Sequence, residues 1–220
     1  MEIGRDSAKA RADLVFVIDT TGSMNDKIDG LIESCQSFVD RLAAKRIDWV
    51  AAVVGFGDLT VEGDRIVATP FSSSADRVKT QLRGLPRNSG GGNEGESSLE
   101  ALRAALNLTG YRPDAMKVVI LITDEPALQR ELRPAAMTGR LREAGALAFV
   151  LSPNLKYFRA MATETGGQWW NVDSGGDFSK ILDVFDKIAT KVASTVAAVH
   201  QLTGGNVKEY MSLPPSRRED

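Results

Sequence analysis

The sequence contains very little cysteine and histidine. Of its 220 residues, one is a cysteine, Cys35, and one is a histidine, His200. A single cysteine cannot form an internal disulfide, and because disulfides are common in small secreted domains, the sequence favours a cytoplasmic protein. The one histidine lies at the end of a predicted helix, where a surface role is expected, so the chain offers no histidine general base for a hydrolase.

An excess of positive charge and long apolar runs are also missing. The net charge is −2, and lysines and arginines are spread over several segments, which predicts that nucleic acid is not a partner. No apolar stretch is long enough to span a membrane, and the first residues lack the pattern of a secretory signal. These absences predict a protein without a membrane partner, located in the cytoplasm.

What the sequence does contain is an alternation of strand and helix patterns. At 43% hydrophobic residues, the chain can bury one substantial core. The predicted strands are 14–18, 47–56, 65–71, 118–123, 146–151 and 168–172. The predicted helices are 23–45, 75–85, 99–108, 130–144, 155–165 and 178–199. This order predicts an α/β fold, a doubly wound and mostly parallel six-stranded sheet with helices on both faces. The short connection before the third strand predicts an antiparallel edge strand.

The domain bounds follow from the same patterns. Residues 1–12 precede the first strand and are predicted to be an N-terminal extension, and residues 13–201 form the predicted domain. Residues 202–220 contain paired glycines, paired prolines and a charged end, which predicts a flexible C-terminal tail.

The most informative segment begins with an apolar run, 14–18, that ends at Asp19. Thr21 and Ser23 follow at alternating positions, so an extended turn can direct all three oxygens to one side. A carboxylate and two hydroxyls suit a small hard cation such as Mg²⁺, which keeps several waters and takes few protein ligands. Ser23 also fits a second role, capping the first helix through its hydroxyl.

A second apolar strand, 118–123, ends at Asp124. Two parallel strands would bring Asp19 and Asp124 to the same edge of the sheet, where open α/β sheets bind ligands. Asp58 follows another predicted strand, which makes it a candidate for the outer shell of the same site.

Together these segments resemble the von Willebrand factor A domain and its metal-ion-dependent adhesion site. The stretch Asp19-Thr20-Thr21-Gly22-Ser23 is similar to the family pattern Asp-x-Ser-x-Ser, with threonine in the middle position, and Asp124 matches the family's later strand-end aspartate. The resemblance covers roughly residues 13–199. It implies a Rossmann-like fold and a divalent metal held by Asp19, Thr21, Ser23 and Asp124.

The glycine-rich loop 88–97 is the third element of the site implied by the resemblance. The family places a threonine here as a metal ligand, and this loop has none. Its candidates are Asn93, Glu94, Glu96 and Ser97, with Asn93 the first choice. Ser97 also fits a capping box with Glu100 at the start of the next helix.

Two functions are compatible with these residues. The resemblance implies a non-enzymatic interaction module, in which bound Mg²⁺, or alternatively Mn²⁺ or Ca²⁺, accepts a carboxylate from a partner protein. It further implies a larger intracellular assembly, for example with an AAA+ ATPase, a kinase or a phosphatase. The alternative is a metal-dependent phosphoryl-transfer enzyme similar to haloacid-dehalogenase-like phosphatases, with Asp19 as nucleophile and Thr123 at the second strand end. In that alternative Thr21 stands where the general acid is required.

Overall fold

The computed structural model describes residues 10–92, 95–172 and 178–218. Its strands are β1 (Arg11–Asp19), β2 (Asp48–Phe56), β3 (Val67–Ala68), β4 (Met116–Ile122), β5 (Ala146–Ser152) and β6 (Trp169–Asn171). Its helices are α1 (Asn25–Ala44), α2 (Ala75–Arg83), α3 (Ser98–Leu106), α4 (Pro134–Glu143), α5 (Lys156–Glu164), α6 (Phe178–Thr203), α7 (Val207–Ser212) and α8 (Pro215–Arg218). A 3-10 turn (Gly22–Met24) connects β1 to α1.

The strands form one sheet in the order β3-β2-β1-β4-β5-β6. Every neighbouring pair is parallel except β2 and β3, which are antiparallel. The predicted doubly wound sheet with an antiparallel edge strand is therefore confirmed. β3 is shorter than the predicted strand 65–71.

The two faces of the sheet carry separate apolar cores. In β1, Leu14, Phe16 and Ile18 face the core that packs against α1, α2, α6 and α7, whereas Val15 and Val17 face the core beneath α3, α4 and α5. This alternation is the strand period of two, and a strand covered by helices on both faces reads as a continuous apolar run.

The part of the chain predicted to be a tail contains a packed helix. In α7, Val207 and Tyr210 are buried and belong to the same core as α6. Asn206 caps α7, because its Oδ1 accepts a hydrogen bond from the backbone N–H of Glu209 at 3.1 Å. The domain limits at 13 and 201 stay a prediction. Across the described residues, no helix is both long and apolar enough to cross a membrane.

Candidate metal centre

The carboxyl ends of the two central strands carry the site. β1 pairs with β4 in a register that sets Ile18 opposite Ile122, so the next residues, Asp19 and Thr123, emerge together at the sheet edge. Thr123 Oγ1 donates a hydrogen bond of 2.8 Å to Asp19 Oδ2. Thr123 thereby fixes the orientation of the Asp19 carboxylate.

The turn after β1 organises the hydroxyls. Thr21 donates to Asp19 Oδ1 twice, from its backbone nitrogen at 3.0 Å and from Oγ1 at 2.7 Å. Thr21 Oγ1 lies 3.4 Å from Ser23 Oγ, and Ser23 Oγ donates to Asp124 Oδ1 at 3.0 Å. The structure thus brings together four of the five residues predicted to bind metal. The fifth, Asn93, lies outside the described residues. Ser23 caps neither the 3-10 turn nor α1 through its side chain.

A buried lysine completes this group of side chains. Lys27, in the first turn of α1, donates from Nζ to Asp124 Oδ2 at 2.5 Å. The exposed fraction of the side chain is 9% for Lys27 and zero for Asp124. No pattern in the sequence identified Lys27 as a site residue, because a lysine in the first turn of a helix usually faces solvent.

Burial also changes the acidity of Asp19. Loss of hydration raises the pKa of its carboxyl to about 6, and the hydrogen bonds from Thr21 and Thr123 oppose that rise. The negative charge of Asp124 adds to the rise. A divalent cation at this place would favour the ionised form and reverse the effect of burial.

The glycine-rich loop is tied to the sheet edge by two side chains. Asn88 Nδ2 donates to Thr20 Oγ1 at 2.9 Å, next to the turn that carries Thr21. Asp64 accepts hydrogen bonds from the backbone nitrogens of Ser89 and Gly90, at 2.8 and 2.9 Å. Burial raises the pKa of Asp64, but these hydrogen bonds outweigh burial and lower it below its ordinary value. The loop is therefore held by an ionised carboxylate.

Glu96 is the loop's buried acidic residue. Its side chain lies in a cleft of about 200 Å³ that is also bordered by Thr21, Ser23, Gly90 and Glu125. Among the described residues Glu96 Oε2 has no hydrogen-bond partner, although the residue is only 4% exposed. Burial and the surrounding carboxylates raise the pKa of Glu96 to about 8.

Ser97, a further candidate of the loop, is occupied elsewhere. Its Oγ accepts a hydrogen bond from the backbone nitrogen of Leu59 at 2.9 Å, and its side chain does not cap α3. The capping-box prediction for Ser97 is therefore wrong. Asp58 is buried and accepts from the backbone nitrogen of Thr60 at 2.8 Å, so its predicted outer-shell role stays a prediction.

The side-chain oxygen atoms at the cleft are suitable ligands for a hard divalent cation. Thr21 and Ser23 each give their one hydroxyl proton to a carboxylate, so the oxygen lone pairs stay available to a cation. Their 3.4 Å separation is close to the roughly 3 Å expected between adjacent ligands of an octahedral ion with bonds of about 2.1 Å. Among the described residues no group of three acidic, histidine or cysteine side chains is arranged to hold a metal. Hydroxyls would therefore have to supply part of the coordination.

Glycine at position 90 lets the loop backbone lie close to Thr21 and Glu96. A Cβ on Gly90 would lie 3.2 Å from the Thr21 side chain and 3.0 Å from Glu96 Oε1, and the φ angle of +73° at this position favours glycine. Two larger clefts, of about 440 and 790 Å³, lie away from this edge. Neither is bordered by the predicted metal residues.

Comparisons with known proteins agree with the fold. A search of curated proteins finds no match. Among solved structures, the chain is similar to the pilus adhesin SpaC from Lactobacillus rhamnosus GG in its open conformation, with a TM-score of 0.59 and 14% sequence identity. The similarity covers 84% of this chain and 30% of the adhesin chain. At this identity, the likeness shows the fold alone.

The family assignment rests on the sequence. The family model of the von Willebrand factor type A domain matches residues 13–183, which is most of the chain. Domains of this family are generally protein-interaction modules, and they commonly bind a divalent metal. With its six-stranded sheet and the residues gathered at the ends of β1 and β4, this chain belongs to the von Willebrand factor type A domain family.

Proposed function

We propose that this protein is a non-enzymatic interaction module that binds an acidic group of a partner protein through a divalent metal. The proposed ligands are Asp19, Thr21, Ser23 and Asp124, with Mg²⁺ as the ion and Mn²⁺ or Ca²⁺ as alternatives. The observation that carries this proposal is the convergence of two carboxylates and two hydroxyls beside an open cleft. When bound, the ion would supply a directional positive charge for a partner's carboxylate.

The loop's contribution to the metal belongs to the same proposal. Asn93 remains the predicted ligand. Glu96 is the alternative ligand, because it borders the cleft with Thr21 and Ser23 and its buried Oε2 has no hydrogen-bond partner among the described residues. A cation near Glu96 would give that oxygen the partner it lacks.

The proposed setting is a cytoplasmic assembly, for example with an AAA+ ATPase, a kinase or a phosphatase, as the family resemblance implies. The lone Cys35 supports this setting, since it can form no internal disulfide. The phosphatase-like alternative has no supporting observation, because Thr21 occupies the place of its acid and donates its hydroxyl proton to Asp19. We therefore expect purified protein to release no phosphate from aryl phosphates with any divalent ion.

Calorimetric titration with Mg²⁺ tests the metal site. Wild type should bind, and Ser23→Ala should weaken binding by about tenfold or more, because a ligand and the hydrogen bond to Asp124 are both lost. Ser89→Ala is the matched control, since this hydroxyl borders the same cleft but donates to Asp64. A wild-type protein that binds neither Mg²⁺ nor Mn²⁺ would contradict the proposal, as would equal loss in both variants.

A further inference from the structure

The buried ion pair between Lys27 and Asp124 bears on what the metal can bind. Asp124 Oδ1 accepts from Ser23 and Oδ2 accepts from Lys27, so both carboxylate oxygens already have partners. The Asp124 side chain is fully buried and that of Lys27 almost so. A buried ammonium needs a charged partner, and here that partner is a proposed metal ligand.

The charges in the site show what this pair does. Asp19 and Asp124 alone would cancel the charge of a divalent ion, and a neutral ion site has little attraction for another carboxylate. The Lys27 ammonium offsets Asp124, so the ion together with Asp19, Asp124 and Lys27 keeps one positive charge. Glu96 and Glu125 border the cleft, which makes this compensation more important for an incoming acidic group.

The ammonium of Lys27 contacts the site through Asp124 Oδ2, which accepts its hydrogen bond. Lys27 itself lies beneath the site, in the first turn of α1, and does not border the cleft. It therefore acts on the ion's surroundings without occupying the position a partner would take.

We propose that Lys27 determines ligand specificity at this site, by holding Asp124 in an ion pair so that the bound metal stays positive enough to accept a partner's carboxylate. Without Lys27, Asp124 Oδ2 would be released to bind the metal as a further ligand oxygen, and the carboxylate would satisfy the ion from within the protein. This inference rests on the proposed metal-binding function. Lys27 is a positioning residue, because it acts through Asp124.

The test uses Mn²⁺ as the metal and acetate as the carboxylate probe. Lys27→Met and Lys27→Gln remove the ammonium, and Lys27→Gln keeps a hydrogen-bond donor, so it separates charge from hydrogen bonding and serves if Lys27→Met fails to fold. Lys27→Arg retains the charge. Mn²⁺ affinity is measured by calorimetry, and the water still exchanging at bound Mn²⁺ is measured by proton relaxation, with and without acetate.

Both neutral variants should bind Mn²⁺ at least tenfold more tightly than wild type, because a positive charge close to the ion has been removed. Their bound Mn²⁺ should carry less exchanging water, and acetate should not reduce it further. In wild type and in Lys27→Arg, acetate should displace water from the ion. The melting temperature of the neutral variants should fall in metal-free buffer and recover more on adding Mn²⁺ than that of wild type.

Two failures are distinguishable. If wild type binds no Mn²⁺, the proposed metal function fails and this inference fails with it. If wild type binds Mn²⁺ but the neutral variants bind it equally or more weakly, or acetate displaces water in all of them alike, Lys27 only supports the fold. In that case the metal function stands and the specificity role is overturned.

Discussion

Replacing Asp19 with asparagine separates the stability of the fold from metal binding. Asp19 has no solvent exposure, and both of its carboxylate oxygens accept hydrogen bonds. Asparagine keeps the size of the side chain and removes the buried charge. We therefore expect Asp19→Asn to stabilise the metal-free protein at neutral pH and to abolish stabilisation by Mg²⁺.

The magnitude follows from the pKa of Asp19. Burial raises this pKa from an ordinary value of 3.8 to about 6, a difference equivalent to about 3 kcal/mol. Between those values the folded state holds a proton that the unfolded state has lost, so the folded state loses stability as the pH rises. Above the pKa of the folded state, the full destabilisation by the ionised Asp19 carboxylate is present. Below the pKa of the unfolded state, this destabilisation is absent.

A weakened hydrogen bond offsets part of the stability that Asp19→Asn gains by removing the buried charge. The amide group of asparagine would face Thr123 Oγ1, whose proton would have to turn toward the Glu125 carbonyl oxygen, 3.4 Å away. A weakened hydrogen bond costs about 1 kcal/mol. The expected net stabilisation of metal-free Asp19→Asn over wild type near pH 7 is therefore about 2 kcal/mol.

Urea denaturation in metal-free buffer measures this difference. The advantage of Asp19→Asn should shrink as the pH is lowered from about 7 to about 4, because Asp19 is then protonated in folded wild type and partly protonated in the unfolded chain. Mg²⁺ should stabilise wild type, by about 2.7 kcal/mol at a hundredfold excess over the dissociation constant, and leave the variant unchanged. Asp29→Asn is the control, because this carboxylate is exposed and should change the stability by less than about 1 kcal/mol. A variant that is less stable than wild type at every pH, or an advantage that does not depend on pH, would refute the reasoning.

Three further substitutions test other parts of the fold. Arg112→Ala leaves the fully buried Asp13 without its ion-pair partner and should lower the free energy of unfolding by about 3–5 kcal/mol in urea; a loss below about 1 kcal/mol would contradict this. Arg46 has a φ of +56°, so Arg46→Gly should raise the free energy of unfolding by about 0.5–1 kcal/mol. The melting temperature should rise accordingly, and a lower melting temperature would contradict backbone strain at this position. At Gly95, φ is +147° and a Cβ would lie 2.5 Å from a backbone carbonyl oxygen, so Gly95→Ala should weaken Mg²⁺ binding in calorimetry, whereas Gly92→Ala, with open space around it, should not.

The fold was predictable because its strands are covered on both faces. Apolar runs without alternation indicated parallel strands, and the short link after β2 indicated an antiparallel neighbour. The first and last residues of a strand were less predictable where contacts with distant parts of the chain determine them. β1 begins at Arg11, earlier than the predicted residue 14, and Asp13 is tolerated inside the strand because Arg112 pairs with it at 2.7 Å. A partner 99 residues away leaves no local pattern in the sequence.

The helix α7 was missed for a different reason. It spans six residues, Val207–Ser212, which is too short for a helical apolar period to be recognised among glycines and prolines. Val207 and Tyr210 become recognisable as core residues only because α6 places them beside the sheet's apolar face. The glycines and prolines around α7 are typical of a flexible tail, but Val207 and Tyr210 nevertheless pack in the core that α6 shares.

The site was predictable to the extent that strand ends reveal it. Asp19 and Asp124 each follow an apolar run, so the parallel register alone brings them to one edge. Lys27 was not predictable, because its ion pair joins residues 97 apart in the chain. Asn88 was missed as well, although it links the glycine-rich loop to Thr20, since an asparagine before glycines reads as an ordinary turn residue.

The polar side chains of the site form one continuous network of short contacts. In order along that network they are Thr123, Asp19, Thr21, Ser23, Asp124 and Lys27. Each carboxylate in the network accepts hydrogen bonds from two residues, so the direction of every hydroxyl is set before any ion binds. A cation would therefore meet oxygens that are already oriented. The same continuity means that removing one member disturbs its neighbours, so the effects of single substitutions along this network should not add.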